Sequence, residues 1–325
     1  MKIVLNENTS LSFNMAAEEY MMKHFEDDIF MLWRATSSIL IGKNQNALAE
    51  INYDYVKENK IDVVRRLSGG GTVFCDLGNT NFAFIVTDST SFSDFRKFTL
   101  PILEVLKKLG VNAEFSGRND LTIEGKKFSG NAQYKYKDRL LHHGTLLFSS
   151  DIGNLAKSIN PPKIKLESKG VTSVKSRVTN IKAHLEDDID ILKFRELINE
   201  HINETVENAS FYKFTSEDIK AITEIEENRF KTWDWNYGNS PKYKGYQTKK
   251  FTGGIVETFF EIKKGAFTGV KFYGDFFSKS EISDIENALI GIAHTEIEIK
   301  KILRQFMLDD YFKNITADEI ISLFF

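Results

Sequence analysis

Apolar residues along the chain follow two spacings, and the changes from one to the other mark its elements. From Phe95 to Leu109 they recur at 95, 98, 102, 105, 106 and 109, the i, i+3, i+4 pattern of a helix with one buried face, and Gly110 then ends it. Asn14–His24 (NMAAEEYMMKH) is rich in helix formers, places Met15, Ala16 and Met22 on one face and follows a cap at Ser12. The apolar runs 29–33 and 38–41, separated by a Ser-rich turn and closed by Gly42, predict two buried strands that neighbour each other in one sheet. Lys127–Tyr134 and Leu140–Phe148, joined by the charged turn 135–139, predict a hairpin whose inner faces line a pocket. Helices with one polar side are predicted at 191–204 and 216–228.

Turn formers at 239–242 (NSPK) interrupt this pattern. Val256, Thr258, Phe260 and Ile262 then alternate before Lys264-Gly265, predicting a second hairpin, and helical spacing returns at 279–291 and 297–307. No repeat period joins the two stretches. The chain therefore reads as α+β, with a larger mixed-sheet unit at 1–245 and a small α+β unit at 246–325.

Composition narrows the class without naming a chemistry. The 325 residues are 42% hydrophobic and 27% charged, which is globular stock sufficient for two cores. A single cysteine excludes an intrachain disulfide framework, no run of about 18 apolar residues occurs, and the first residues lack a signal-peptide pattern. A cytoplasmic location is expected. A net charge of -3 argues against a general nucleic-acid or membrane-surface binder, so neither partner is expected.

The chemistry concentrates in a few segments. Arg65-Arg66-Leu67-Ser68-Gly69-Gly70-Gly71 lies between strand-like runs, and its residue types suit an anion cradle. Glycine lets backbone N–H groups converge, and guanidinium supplies paired donors for phosphate or carboxylate oxygens. A plain turn with two solvated arginines is the competing interpretation. Neither a Walker A motif nor GxGxxG is present. Lys127 lies beside the small residues Ser129 and Gly130, where an ammonium can approach a carboxylate or α-phosphate. Asp120 is a candidate Mg²⁺ ligand, since that ion binds through one or two carboxylates plus substrate phosphates. His142 and His143 are not a zinc pair, because adjacent strand residues face opposite ways. The segment 163–182 holds six basic residues and one acid, which fits either a loop closing over phosphates or a solvated loop.

Taken together, RRLSGGGTVF, SGRNDL, KKFSGNAQ, HHGTLL and KSRVTN, in this order, resemble lipoate–protein ligases of the bacterial two-domain type over essentially the whole chain. Leu32-Trp33-Arg34, the segment 41–46 (IGKNQN), Asp76-Leu77-Gly78-Asn79 and the segment 233–238 (WDWNYG) add to the likeness. The resemblance implies a fold similar to the biotin protein ligase catalytic domain, followed by a small accessory domain. It also implies a two-step reaction. Lipoate's carboxylate attacks the α-phosphate of ATP with Mg²⁺ present, giving lipoyl-AMP, and a lysine amine of a lipoyl domain then displaces AMP. Adenylation is needed because a carboxylate is a poor electrophile.

By the same resemblance, Arg66, Gly71, Thr72, Val73, Phe74 and Lys127 match nucleotide-binding positions. Lys127 contacts both ATP and lipoate and is the catalytic candidate with Asp120, which is assigned to the metal or the incoming amine. Trp33, Gly69, Gly70 and His143 join Lys127 around lipoate. The acceptors implied are lipoyl domains of 2-oxoacid dehydrogenase complexes or the glycine cleavage carrier, and no tightly bound prosthetic group is expected. Three rivals stand beside this: an octanoyl or lipoyl transferase working through a thioester on Cys75, a biotin ligase, for which a GRGR-type loop is missing, and a non-catalytic binding regulator.

Overall fold

The computed structural model describes residues 1–87, 89–159, 177–237, 245–263 and 265–325. An eight-stranded mixed sheet runs in the order β11-β1-β2-β6-β10-β9-β8-β7, where β1 is Lys2–Leu5, β2 Ile29–Trp33, β6 Asn79–Val86, β7 Ala113–Ser116, β8 Asp120–Ile123, β9 Lys126–Tyr136, β10 Arg139–Leu147 and β11 Ser210–Tyr212. Its central strands are buried on both sides. Alternate residues of β2 and β6 therefore enter different cores: Phe30, Leu32, Phe82 and Phe84 join one, and Ile29, Met31, Trp33, Ala83 and Ile85 the other.

The first core is closed by helices α4 (Phe95–Lys108) and α6 (Ile191–Thr205), through Phe98, Ile102, Val105, Phe194, Ile198 and Ile202. The second is closed by α1 (Leu11–His24), with α7 (Ser216–Ile225) packed behind it. Helix α1 begins three residues before the predicted Asn14, and Ser10 is its cap, the side chain accepting from Phe13 N–H. The shorter helices are α2 (Ala47–Glu50), α3 (Tyr53–Glu58), which packs on α5 (Ile152–Ser158), and α8 (Trp233–Asn236).

One strand departs from the expected pairing. The runs 29–33 and 38–41 are strands but not neighbours, because β3 (Ser38–Ile41) leaves the large sheet. It forms a three-stranded sheet with β4 (Asp62–Arg65), in parallel, and β5 (Val73–Cys75), antiparallel. The edge next to β2 is already taken by β1 and β6. The hairpin of β9 and β10 forms as expected, with Arg139 opposite Tyr136. The turn formers at 239–242 lie outside the described residues.

Beyond them, β12 (Gly245–Phe251), β13 (Gly254–Lys263) and β14 (Ala266–Gly274) form an antiparallel sheet. Helices α9 (Ile282–Leu289) and α10 (Glu296–Leu303) cover it over a separate core of Val256, Phe272, Ile285, Leu289, Ile299 and Phe312. Among the described residues, no helix is long and apolar enough to cross a membrane.

Candidate active site

The glycine-rich segment is held in shape by its own two arginines. Strand β4 ends at Arg65, which is 2% exposed and donates to the carbonyls of Gly42, Lys43, Gln45, Trp235 and Asn236 at 2.6–3.1 Å. In return Trp235 Nε1 donates to the Arg65 carbonyl at 2.7 Å. Arg66 turns into the loop: Nη2 donates to the Gly69 and Gly71 carbonyls at 2.7 and 2.8 Å, and Nη1 to Leu40 at 3.2 Å. Burial lowers both guanidinium pKa values to about 10, which leaves them charged at neutral pH and bound to carbonyl dipoles. The loop is thus a braced cradle and not a free turn. Glycine is required at Gly70, with φ at +93°, and at Gly42, where a Cβ would collide with the Gly70 carbonyl.

An inner cavity of about 90 Å³ lies under this cradle, and its wall includes Trp33, Leu40, Gly70, Asn81, Ala132 and His143. A polar chain runs behind that wall. Arg66 Nε donates to Ser68 Oγ at 3.0 Å, Ser68 Oγ meets His143 Nε2 at 2.6 Å, and His143 Nδ1 meets Glu18 Oε2 at 2.7 Å. The other Glu18 oxygen accepts from Trp33 Nε1 at 3.0 Å. Nδ1–H facing the Glu18 carboxylate and Nε2 facing the Ser68 hydroxyl satisfy both neighbours of the ring, so the chain fixes ring and indole orientation together. Glu18 was not legible as a site residue. Its only signal was a carboxylate inside a helix otherwise built to be buried.

The two histidines do face opposite ways. His142 points into the other core, stacked on Phe98 at 4.8 Å, and burial holds its pKa well below the usual imidazole value.

Lys127 reaches the cavity through a bulge. On β9, Ala132 pairs with the cavity-lining His143 and Gly130 shares its face, whereas the Asn131 side chain meets His142 on the other side, and strict alternation would turn Lys127 that way, with Ser129 and Asn131. Register shifts instead: Leu121 pairs Ser129, but Thr122 pairs Lys127, leaving Phe128 as an extra residue. The extra residue rotates Lys127 back to the cavity side. Its backbone is then caught by the next segment, Lys127 N–H donating to the Arg177 carbonyl and Thr179 N–H to the Lys127 carbonyl, both at 2.9 Å. The ammonium lies 2.7 Å from Asp120 Oδ1, over Gly130, where an added Cβ would stand 2.7 Å from Nζ.

Lys127 also lines an outer cleft of about 820 Å³ that shares Gly71, Thr72, Val73, Asn119, Gly130 and Thr145 with the inner cavity. Phe74, Leu155 and Ile159 form an apolar end, and Arg118, Asp120 and Arg177 a charged one. A wall of the cleft comes from the small C-terminal unit, through Lys250, Thr252 and Asp275. That unit is fastened at the same place, with the Arg118 guanidinium 4.5 Å over the Phe277 ring and donating to the Gly253 carbonyl. Gly69 lies apart from both cavities and abuts the Phe276 carbonyl.

Of the residues singled out in the sequence, Trp33, Arg66, Gly70, Gly71, Thr72, Val73, Lys127 and His143 meet at the inner cavity, with Phe74 and Asp120 in the outer cleft. Cys75 lines neither; it is fully buried, and burial pushes its thiol pKa up to about 12. Most of the basic segment 163–182 lies outside the described residues. Among the described residues, no group of three or more metal-ligating side chains occurs.

Comparison with known proteins gives a consistent result. Residues 10–203 match the lipoyl protein ligase A/B catalytic domain, and residues 240–324 the bacterial lipoate protein ligase C-terminus. The chain is 44% identical to the lipoate-protein ligase LplJ of Bacillus subtilis over 96% of both chains. It is 43% identical to lipoate–protein ligase 1 of Staphylococcus aureus over 99% of both. Among solved structures, LipL1 of P. falciparum in complex with lipoate superposes with a TM-score of 0.80 at 26% identity, over 99% of this chain and 98% of that one. A lipoate-protein ligase A bound with ATP gives 0.63 at 25% identity, over 73% and 98%. A bipartite archaeal ligase with its E2 lipoyl domain, from Thermoplasma acidophilum, gives 0.65 at 27%, over 75% and 98%.

Proposed function

Because this chain belongs to the lipoate–protein ligase family, we propose that its two joined cavities form one adenylation site, the inner taking the acyl chain and the outer the nucleotide. The enzyme is an ATP-dependent lipoate ligase that makes lipoyl-AMP from free lipoate and passes the acyl group to a lysine of a lipoyl domain. The observation carrying the assignment of residues is Lys127, whose ammonium lies where the two cavities meet.

From there the roles divide. Trp33, the Gly70 backbone and His143 flank the acyl arm, with Glu18 and Ser68 setting the two rings. Gly69 supports the loop from the side of the small unit. Gly71, Thr72, Val73 and Phe74 hold the nucleotide, the base resting at the apolar end beside Leu155 and Ile159. Arg66 serves ATP indirectly, by holding the Gly69 and Gly71 carbonyls so that the cradle keeps its shape. Lys127 neutralises charge shared between carboxylate and α-phosphate, an effect worth several kcal/mol in a dry site, of order 10²–10³ in rate.

Asp120 faces the same cleft. Mg²⁺ arriving on the nucleotide needs only one or two protein carboxylates, so this chain's part is to present Asp120 and release Lys127 to the substrates. In the second step the same carboxylate lies near the acyl carbon and is the group to accept a proton from the incoming amine. We set the junction between catalytic and accessory parts at 245/246, after the first residue of β12. Lipoyl domains of 2-oxoacid dehydrogenases or the glycine cleavage carrier are the acceptors this site fits. Octanoate competes with lipoate, since an apolar tunnel separates similar arms by only about 1–3 kcal/mol per methylene.

The test incubates the protein with ATP, Mg²⁺, lipoate and a lipoyl domain, omitting each in turn, and reads the intact mass of the acceptor. Acylation is expected only in the complete mixture. Acylation from an acyl thioester without ATP would mean a transferase instead, a result that the buried, high-pKa Cys75 argues against.

A further inference from the structure

Thr122 carries a buried hydroxyl that the roles above leave unused. The residue is 6% exposed, its Oγ1 has no hydrogen-bond partner, and it lines the outer cleft beside Lys127. A buried hydroxyl left without a partner is destabilising, so one kept at a ligand cavity calls for a ligand atom.

Strand register says which atom. His143 pairs with Ala132 at the inner cavity, Asp120 with Gly130 at the junction, and Thr122 with Lys127 beyond it. The three pairs lie in order along adjacent strands. A carboxylate emerging from the inner cavity meets phosphorus at the middle pair, over Gly130. Attack at phosphorus is in line, so the leaving group departs on the side away from the acyl cavity, which is the Thr122 side.

We propose that Thr122 Oγ–H donates to the departing pyrophosphate, stabilising the first half-reaction from the leaving-group side. This rests on the adenylation site assigned above. A bond forms between a lipoate oxygen and the α-phosphorus as the bond from that phosphorus to the bridging oxygen breaks, and the electron pair leaves with pyrophosphate. The threonine keeps its proton, so the hydroxyl acts as a hydrogen-bond donor and not as an acid.

The test compares Thr122→Val, which removes the hydroxyl at nearly constant volume, with Thr122→Ser, which retains it. Two assays are run on the full chain: lipoate-dependent exchange of labelled pyrophosphate into ATP, and acyl transfer from preformed lipoyl-AMP to a lipoyl domain. Hydrogen bonds to charged acceptors are worth about 10- to 100-fold, so Thr122→Val is expected to lose at least about 10-fold in kcat/KM for pyrophosphate and Thr122→Ser less than about 3-fold. Transfer from preformed adenylate, which involves no pyrophosphate, should hold near the wild-type rate. Wild-type exchange in Thr122→Val overturns the proposal, as does equal loss in both assays, which would mark a structural role. Failure of the wild-type protein to exchange pyrophosphate would instead remove the adenylation site itself.

Discussion

Lys127 Nζ lies 2.7 Å from Asp120 Oδ1; the lysine lines both cavities and the aspartate the outer cleft. The lysine side chain is 40% exposed and the aspartate 24%, so the ion pair adds little to stability. Its effect is positional: Asp120 holds the ammonium over Gly130.

Removing the lysine should therefore stop chemistry without unfolding the protein. Lys127→Ala is expected to lose roughly 10²–10³-fold or more in lipoate-dependent pyrophosphate release. The thermal midpoint should stay close to wild type. Normal pyrophosphate release in a folded variant would contradict the assignment.

Gly130→Ala separates position from charge. Its Cβ would stand 2.7 Å from Nζ, and because the clash is with the end of a flexible side chain, the ammonium moves and the backbone stays. We expect activity to fall about 10-fold or more with little loss of stability, since displacement by even about 1 Å can cost 10²-fold. Steady-state kinetics beside a denaturant titration decides it; a large drop in stability would show that Gly130 serves the fold.

Arg65 is structural by geometry. Its guanidinium makes five contacts to carbonyls on two segments, a pattern that a lysine's three donors on a flexible stem cannot reproduce. Arg65→Lys should destabilise by about 2–4 kcal/mol as buried carbonyls lose partners. Urea unfolding measures it, and a change below about 1 kcal/mol would show that water replaces the contacts.

Cys75 should be dispensable. Cys75→Ser is expected to ligate lipoate with ATP, and the native thiol to resist alkylation at pH 8 until the chain is unfolded, because burial pushes its pKa up to about 12. Rapid labelling of the native protein would contradict the burial.

His142 should make the fold acid-sensitive. Its pKa is depressed in the folded state, so the unfolded chain binds the extra proton, and stability is full above pH 6.5 and declines below it. The slope approaches about 1.4 kcal/mol per pH unit for one proton. Unfolding titrations between pH 7.5 and 5 should show this in the wild type and lose it in His142→Gln. An unchanged slope in the variant would place the proton elsewhere.

What the sequence by itself determined was local. Helix spacing at 95–109 and the hairpin of β9 and β10 were legible because near neighbours create their periods, and glycine with arginine marked the cradle. Tertiary structure decided which way the chemistry points. Alternation puts Lys127 on the wrong face of β9, and only the bulge at Phe128, formed against β8, returns it to the cavity. Arg66 reads as a phosphate donor until its N–H groups are found on the loop's own carbonyls. Glu18 and His143 lie 125 residues apart, so no spacing rule links them; they meet because α1 packs across β10. Residue type is carried by the chain, but direction is set by register and packing, which depend on partners distant in sequence.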